Sequence, residues 1–433
     1  MSLTQDIAQM LRRAITDYDR ARAAILFLDW TACAVAGASE PAGLKMTKAF
    51  KGDCGDCTRI GSTTASVQMA AFHNGALGNI LEMDDVDKRA VLHAAPTVIP
   101  AALAMAEHVG ASANDFLDAI VHGYDVTIRI GRAVGACHYA FWHNTATCGP
   151  FGAAAAASHL LDESNLVSAL GLAGTQAAGL WQTRHEADSM AKQIHAAHAA
   201  QVGVQSAILS AQGFQGPRMI LEGEQGFFKA MCPGADPRDV LADYSHHDES
   251  TWLIHQTSIK PYPACRHAHA AIDAALLARK AGINADDGII VETYTDALKF
   301  CDRPNPQTTI EAKFSLQHSV AVTLLKGEPS LDDFNPKNTN EAVKALRDKI
   351  EVKTSKTFDV AYPNHYGAAV IIDGQTFEAT DAYGDPENPM SLDAVKEKAK
   401  RLMHYSSMDE SRAEALIEAS LNVDLEAYKA LIP

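Results

Sequence analysis

From residue 3 to about 250, apolar positions recur at the three-to-four-residue spacing of helices. The spacing predicts helices over Ile7–Val35, Ser66–Leu81, Val98–Val109, Ala113–Val134, Pro150–Leu161, Ser164–Trp181 and Ala191–Ser210. Gly152–Ser158 and Ala173–Gly179 are nearly all Ala and Gly. Side chains that small let helix backbones approach closely, which predicts one buried bundle. The pattern changes near Ile254, where β-branched residues begin to alternate. Gln256–Tyr262, Ile289–Thr295, Ile350–Ser355 and Ala368–Ala379 read as strands. Helices are predicted between them at 264–282, 307–326 and 339–348, and Ser391–Leu402 and Met408–Leu421 are helical again. The expected fold class is therefore two-domain. A large all-α helical bundle domain takes residues 1–254 with 391–433, and a smaller α/β (α+β) domain takes 255–390.

Composition narrows the function classes. A chain of 433 residues exceeds one compact core, and 47% hydrophobic with 21% charged residues is the balance of a soluble globular protein. A net charge of −16 argues against nucleic acid and anionic membrane, both of which need a basic face. The first residues carry no signal pattern, and no apolar run approaches the roughly 18 residues of a membrane span. Eight cysteines are scattered without a disulfide framework, and Cys54-Gly-Asp-Cys57 is a lone CxxC expected in a surface loop. No Gly-rich phosphate loop is present. A cytoplasmic protein with no metal and no nucleotide cofactor is the expectation.

The chemistry concentrates in Lys260-Pro-Tyr-Pro-Ala-Cys265-Arg266-His267-Ala-His269. Two prolines hold its first half extended, and the Ala-rich run from Ala268 reads as a helix. A lysine, a thiol, an arginine and two histidines thus crowd the start of a helix, where backbone N–H groups and the helix dipole favour an anion. Four other segments share the arrangement. An acidic loop with Asp84 and Asp85 delivers His93 just ahead of a helix marked by Pro96. His143 precedes an Ala-rich helix, with Asn144 or Thr145 as candidate N-cap. Lys192, His195 and His198 share one helix face, and Lys313-Phe-Ser-Leu-Gln-His318 lies in the second domain. A histidine at a helix N-terminus stays neutral and available as a base, and Lys or Arg stabilises charge developing on a carboxylate. Plainer roles exist for each: Cys265 as a small core residue, Asp84 and Asp85 as helix caps, Lys192 and His198 on a solvated face, His246-His247 on the surface. Recurrence of one arrangement favours a site for a carboxylate.

Together these segments, above all Lys260-Pro-Tyr-Pro-Ala-Cys-Arg-His267, resemble the MmgE/PrpD family, which includes 2-methylcitrate dehydratase, cis-aconitate decarboxylase and iminodisuccinate epimerase. The resemblance runs nearly the whole chain in order. It implies a helical large domain built from both chain ends, a smaller α/β lid, a homodimer and a metal-free site in the cleft between domains. It makes His93 and His143 the paired active-site histidines and Lys260 the substrate-facing lysine. In the decarboxylase branch a lysine stands in place of Gln201, a histidine in place of Cys265 and a tyrosine in place of His318. Arg184-His185-Glu186 also departs from the plainer residues expected there. These differences point away from cis-aconitate decarboxylation.

The expected function is a cofactor-independent lyase or dehydratase acting on a small di- or tricarboxylate, 2-methylcitrate-like, by proton abstraction α to a carboxylate. His93, His143 and Lys260 are the catalytic candidates. Asp84, Asp85, Arg184, Lys192, Cys265, Arg266, His267 and His318 are the substrate-binding ones. An epimerase using the same two bases, as in iminodisuccinate epimerisation, and a non-catalytic polycarboxylate-binding protein are the alternatives.

Overall fold

The computed structural model describes residues 2–161, 166–186, 188–242, 244, 251–282 and 288–433; His246-His247 lies outside them. The chain is mostly helical with one small mixed sheet, and it divides into two compact units. One comprises Met1–Thr257 with Ser391–Pro433, the other Ser258–Met390.

In the first unit the expected helix over Ile7–Val35 is two helices, Leu3–Met10 and Asp17–Ala38. Thr16 separates them, its hydroxyl and the Asp19 carboxylate forming a reciprocal cap. By length and composition Asp17–Ala38 could cross a membrane, contrary to the expectation from its sequence, but 78% of its apolar stretch is buried within the protein. Asn144–His159 lies at the centre, packed by Ala113–Ala133 and Ala191–Ala211. The Ala/Gly composition serves this contact. A Cβ on Gly203 would collide with Ala153, and one on Gly152 with Thr127 Oγ1 and the Gly123 carbonyl. Pro150 sits inside the central helix without ending it.

In the second unit four strands, β1 (Ile289–Thr293), β2 (Ile350–Thr354), β3 (Ala368–Ile372) and β4 (Gln375–Ala379), form a sheet of order β2-β1-β3-β4. β1 and β2 are parallel; the other pairs are antiparallel. The single strand expected over Ala368–Ala379 is a hairpin, turned at Asp373 (φ 51°) and Gly374 (φ 76°), the double positive φ of a two-residue turn. The apolar face of the helix Arg266–Lys280 packs on β3 and β4 and on Leu316–Lys326. Gln256–Tyr262 is no strand. Leu253–Gln256 is a short 3₁₀ turn, and the backbone beyond it meets Pro261 and Pro263, which have no N–H for a ladder.

Candidate active site

The acidic loop of the first unit folds back on itself, with Glu82 (φ 58°) and Val91 (φ 50°) in the left-handed region. It ends at His93, two residues ahead of the helix Ala95–Val109. The His93 Nδ1 lies 2.6 Å from the Asp85 backbone carbonyl and 3.1 Å from Asp84 Oδ2. A carbonyl oxygen only accepts, so Nδ1 carries the proton and Nε2 keeps its lone pair. Asp84 Oδ2 also accepts from Asn79 Nδ2 at 2.6 Å, which fixes the carboxylate behind the ring. Asp85 Oδ1 accepts from the Ala95 N–H at 3.0 Å, capping the helix as its plainer reading allowed. Burial raises the Asp85 carboxyl to about 7.

Loop and bundle are tied together from behind. Lys398, on the helix Leu392–Tyr405 near the C-terminus, is buried and donates to Asp29 Oδ1 at 2.6 Å and to the Met83 carbonyl at 2.7 Å. That carbonyl lies between Glu82 and Asp84.

His143 is itself the N-cap of Asn144–His159, in place of the expected Asn144 or Thr145. Those two side chains have other partners. Asn144 Nδ2 donates to the Ala90 carbonyl at 2.7 Å, and Thr145 Oγ1 accepts the His93 N–H at 3.0 Å. They lock the His93 loop to the helix that begins at His143. The His143 ring packs on Trp181, centroids 4.4 Å apart, and Arg184 lies over the Trp181 ring at 5.6 Å. Its Nδ1 faces His195 Nδ1 at 3.2 Å. Lys192, one turn before His195, pairs with the buried carboxylate of Glu82. Burial, with Lys192, His195 and His93 adding repulsion, holds His143 well below the usual histidine range. Burial and the Lys192 ammonium push His195 down to about 4. Both rings are neutral near pH 7.

The block at 260 is arranged differently. Lys260 is buried, in the bent segment before the helix Arg266–Lys280, whose N-cap is Cys265. The helix thus starts two residues inside the expected 264–282 and two ahead of the Ala-rich run, taking in Arg266 and His267. The Arg266 guanidinium pairs with the buried Asp385 and donates to the Tyr383 and Ala382 carbonyls, each at 3.3 Å, so it anchors the loop 382–385. His267 lies face to face with Phe300 and Tyr366, centroids 5.0 and 5.2 Å away, and its Nδ1 is 2.6 Å from the Tyr294 hydroxyl. Burial lowers it to about 4. The Cys265 N–H donates to the Lys313 carbonyl at 2.9 Å. His318 is buried at the start of Leu316–Lys326, with Nε2 donating to the Asp333 carbonyl at 2.8 Å.

The first unit therefore gathers Asp84, Asp85, His93, His143, Lys192 and Arg184, together with three residues that are not among the site candidates: Glu82, Thr145, expected only as a helix cap, and His195. The helical spacing from Lys192 already placed His195 on the right face. No spacing marks Lys398, whose partner Asp29 is 369 residues away. Two imidazoles, one backed by a carboxylate and the other by a second imidazole, beside an ammonium group, suit proton transfer at an acidic substrate.

A sequence model of the MmgE/PrpD N-terminal domain matches residues 2–239, and one of the C-terminal domain matches residues 262–425. Among characterised proteins, the cis-aconitate decarboxylase-like protein oryM of Aspergillus oryzae is 28% identical, covering 94% of this chain and 90% of its own length. A cis-aconitate decarboxylase of Aspergillus terreus is 27% identical over 93% of this chain and 88% of its own. That of Homo sapiens is 28% identical over 84% and 78%. This chain belongs to the MmgE/PrpD family, as an enzyme of the lyase or dehydratase type acting on a carboxylate.

Proposed function

We propose that the protein eliminates water from a small hydroxy di- or tricarboxylate, 2-methylcitrate-like, without a cofactor. The observation that carries this reading is the fixed tautomer of His93, with Nδ1 donating to the Asp85 carbonyl and Asp84 and the Nε2 lone pair left for substrate. The Asp84 carboxylate stabilises the imidazolium that forms as His93 takes up the proton. His93 Nε2 removes the proton α to a carboxylate, and the C–H electron pair passes into that carboxylate. Return of the pair forms the C=C bond and expels the β-hydroxyl, which His143 protonates to water. Lys192 is the cation for the substrate carboxylate, and Lys260 keeps the substrate-facing role that the family gives it. Purified protein mixed with hydroxy-polycarboxylates should produce alkene absorbance, and His93→Gln should abolish it. A folded sample inert toward the whole panel overturns the reading.

The relatives' names favour one second reading, decarboxylation of an unsaturated tricarboxylate. There the C–C bond breaks, CO2 leaves and an imidazolium protonates the carbon. Release of CO2 from cis-aconitate, with no hydration or dehydration of any substrate, would select it. Gln201, Cys265 and His318 weigh toward dehydration.

A further inference from the structure

The elimination leaves one question in the first unit: His143 gives up a proton from a buried place and must regain one. We propose that His195 is a relay residue that passes a proton to His143 Nδ1 as His143 protonates the leaving hydroxyl. This rests on the dehydratase reading above.

The two rings face each other Nδ1 to Nδ1 at 3.2 Å. Between two neutral imidazoles in that geometry only one Nδ1 carries hydrogen, so their tautomers are complementary. For His143 to act as an acid its hydrogen must sit on Nε2, its Nδ1 must accept, and His195 must donate from Nδ1. The transfer then balances without any ring becoming charged. His143 Nε2–H goes to the leaving oxygen, His195 Nδ1–H goes to His143 Nδ1, and a solvent proton enters at His195 Nε2. His195 is half-buried whereas His143 is buried, so the second ring is the one that can meet water.

The surroundings favour neutral rings. His143 faces Lys192, His195 and His93; His195 faces Lys192 and His198. The carboxylate of Glu82 beside them is bound to Lys192. A relay that moves hydrogen without accumulating cations is the form this environment permits. The backbone maintains the approach. The Gly179 carbonyl accepts the His143 N–H at 2.9 Å, and a Cβ on Gly179 (φ 142°) would collide with Ala146 and touch the His195 ring at 3.5 Å.

Two measurements test the proposal. His195→Asn keeps a side-chain N–H donor for His143 but cannot take up and hand on a proton. We expect kcat to fall about 10–100-fold with KM held and the melting temperature unchanged, whereas His195→Phe also loses the tautomer control. Wild-type kcat in His195→Asn would overturn the relay. The second measurement needs no substrate: ¹⁵N spectra of the wild-type rings should show His143 protonated at Nε2 and His195 at Nδ1. The opposite pair of tautomers overturns the relay whatever the enzyme's substrate. If the spectra agree but no carboxylate is turned over, the dehydratase reading fails and the hydrogen-bonded pair stands.

Discussion

Histidines follow helix-starting motifs in both units of this chain, and the two units use them in opposite ways. In the first, each ring is held by one nitrogen and keeps the other: His93 through Asp84 and the Asp85 carbonyl, His143 through His195. In the second, the rings pack among aromatic groups and backbone carbonyls. His267 is layered between Phe300 and Tyr366, and His269 uses both nitrogens, facing Arg266 at 3.1 Å and donating to the Ala264 carbonyl at 3.1 Å. His318 is fixed to the Asp333 carbonyl. A histidine's motif says little about its task; the groups packed around its ring say much more.

The contrast can be broken by substitution. The largest expected effect is on turnover: His93→Gln or His143→Gln should lower kcat about 10²–10⁴-fold at nearly unchanged melting temperature. His267→Phe should do the reverse, retaining most turnover while shifting the melt. Next, Arg266→Ala leaves the buried Asp385 carboxylate uncompensated, and chemical denaturation should show a loss of about 3–5 kcal/mol. A turnover defect with no stability loss would instead make Arg266 a substrate ligand. Asp84→Asn should be milder than removing the ring, roughly 10–100-fold in kcat, because the Asp85 carbonyl still holds Nδ1.

The smallest effect per group is the acid response. Burial lowers His122 to about 3 and His73, His195 and His267 to about 4. The unfolded chain, with ordinary histidines near 6.5, therefore binds more protons between about pH 6.5 and 4. Each ring lowers stability by up to about 1.4 kcal/mol per pH unit as pH falls through that window. Asp85 acts with the opposite sign, since its raised value favours the folded state as pH falls below about 7. Denaturant midpoints across this range should show a net decline, and His267→Phe should flatten it slightly.

Much of the fold was legible. Helical periodicity placed Ala113–Ala133 and Ala191–Ala211 to within a residue, because each buries one continuous face. β-branched runs gave β1 and β2 nearly to their ends. The failures have local causes. Alternation persists through the Asp373-Gly374 turn, so a hairpin reads as one strand, and Gln256–Tyr262 looks like a strand until Pro261, with Pro263 just beyond, is counted against a ladder. The short helices Pro41–Ala49 and Thr295–Cys301 carry too few turns for a period to stand out. At the site, the sequence indicated His93, His143 and Lys192 by their places before or within helices. It could not show the surroundings of His267 or Arg266, whose partners Phe300, Tyr366 and Asp385 come from distant segments.

The buried Lys398 has a consequence for the order in which this protein becomes competent. The loop holding Glu82 to Asp85 is made early in translation, yet the ammonium group that grips its Met83 carbonyl is incorporated more than three hundred residues later. The ribosome must therefore deliver helix Leu392–Tyr405 before that loop has its full support. A nascent chain stalled short of residue 398 would display the first bundle helices with Asp29 lacking the Lys398 ammonium.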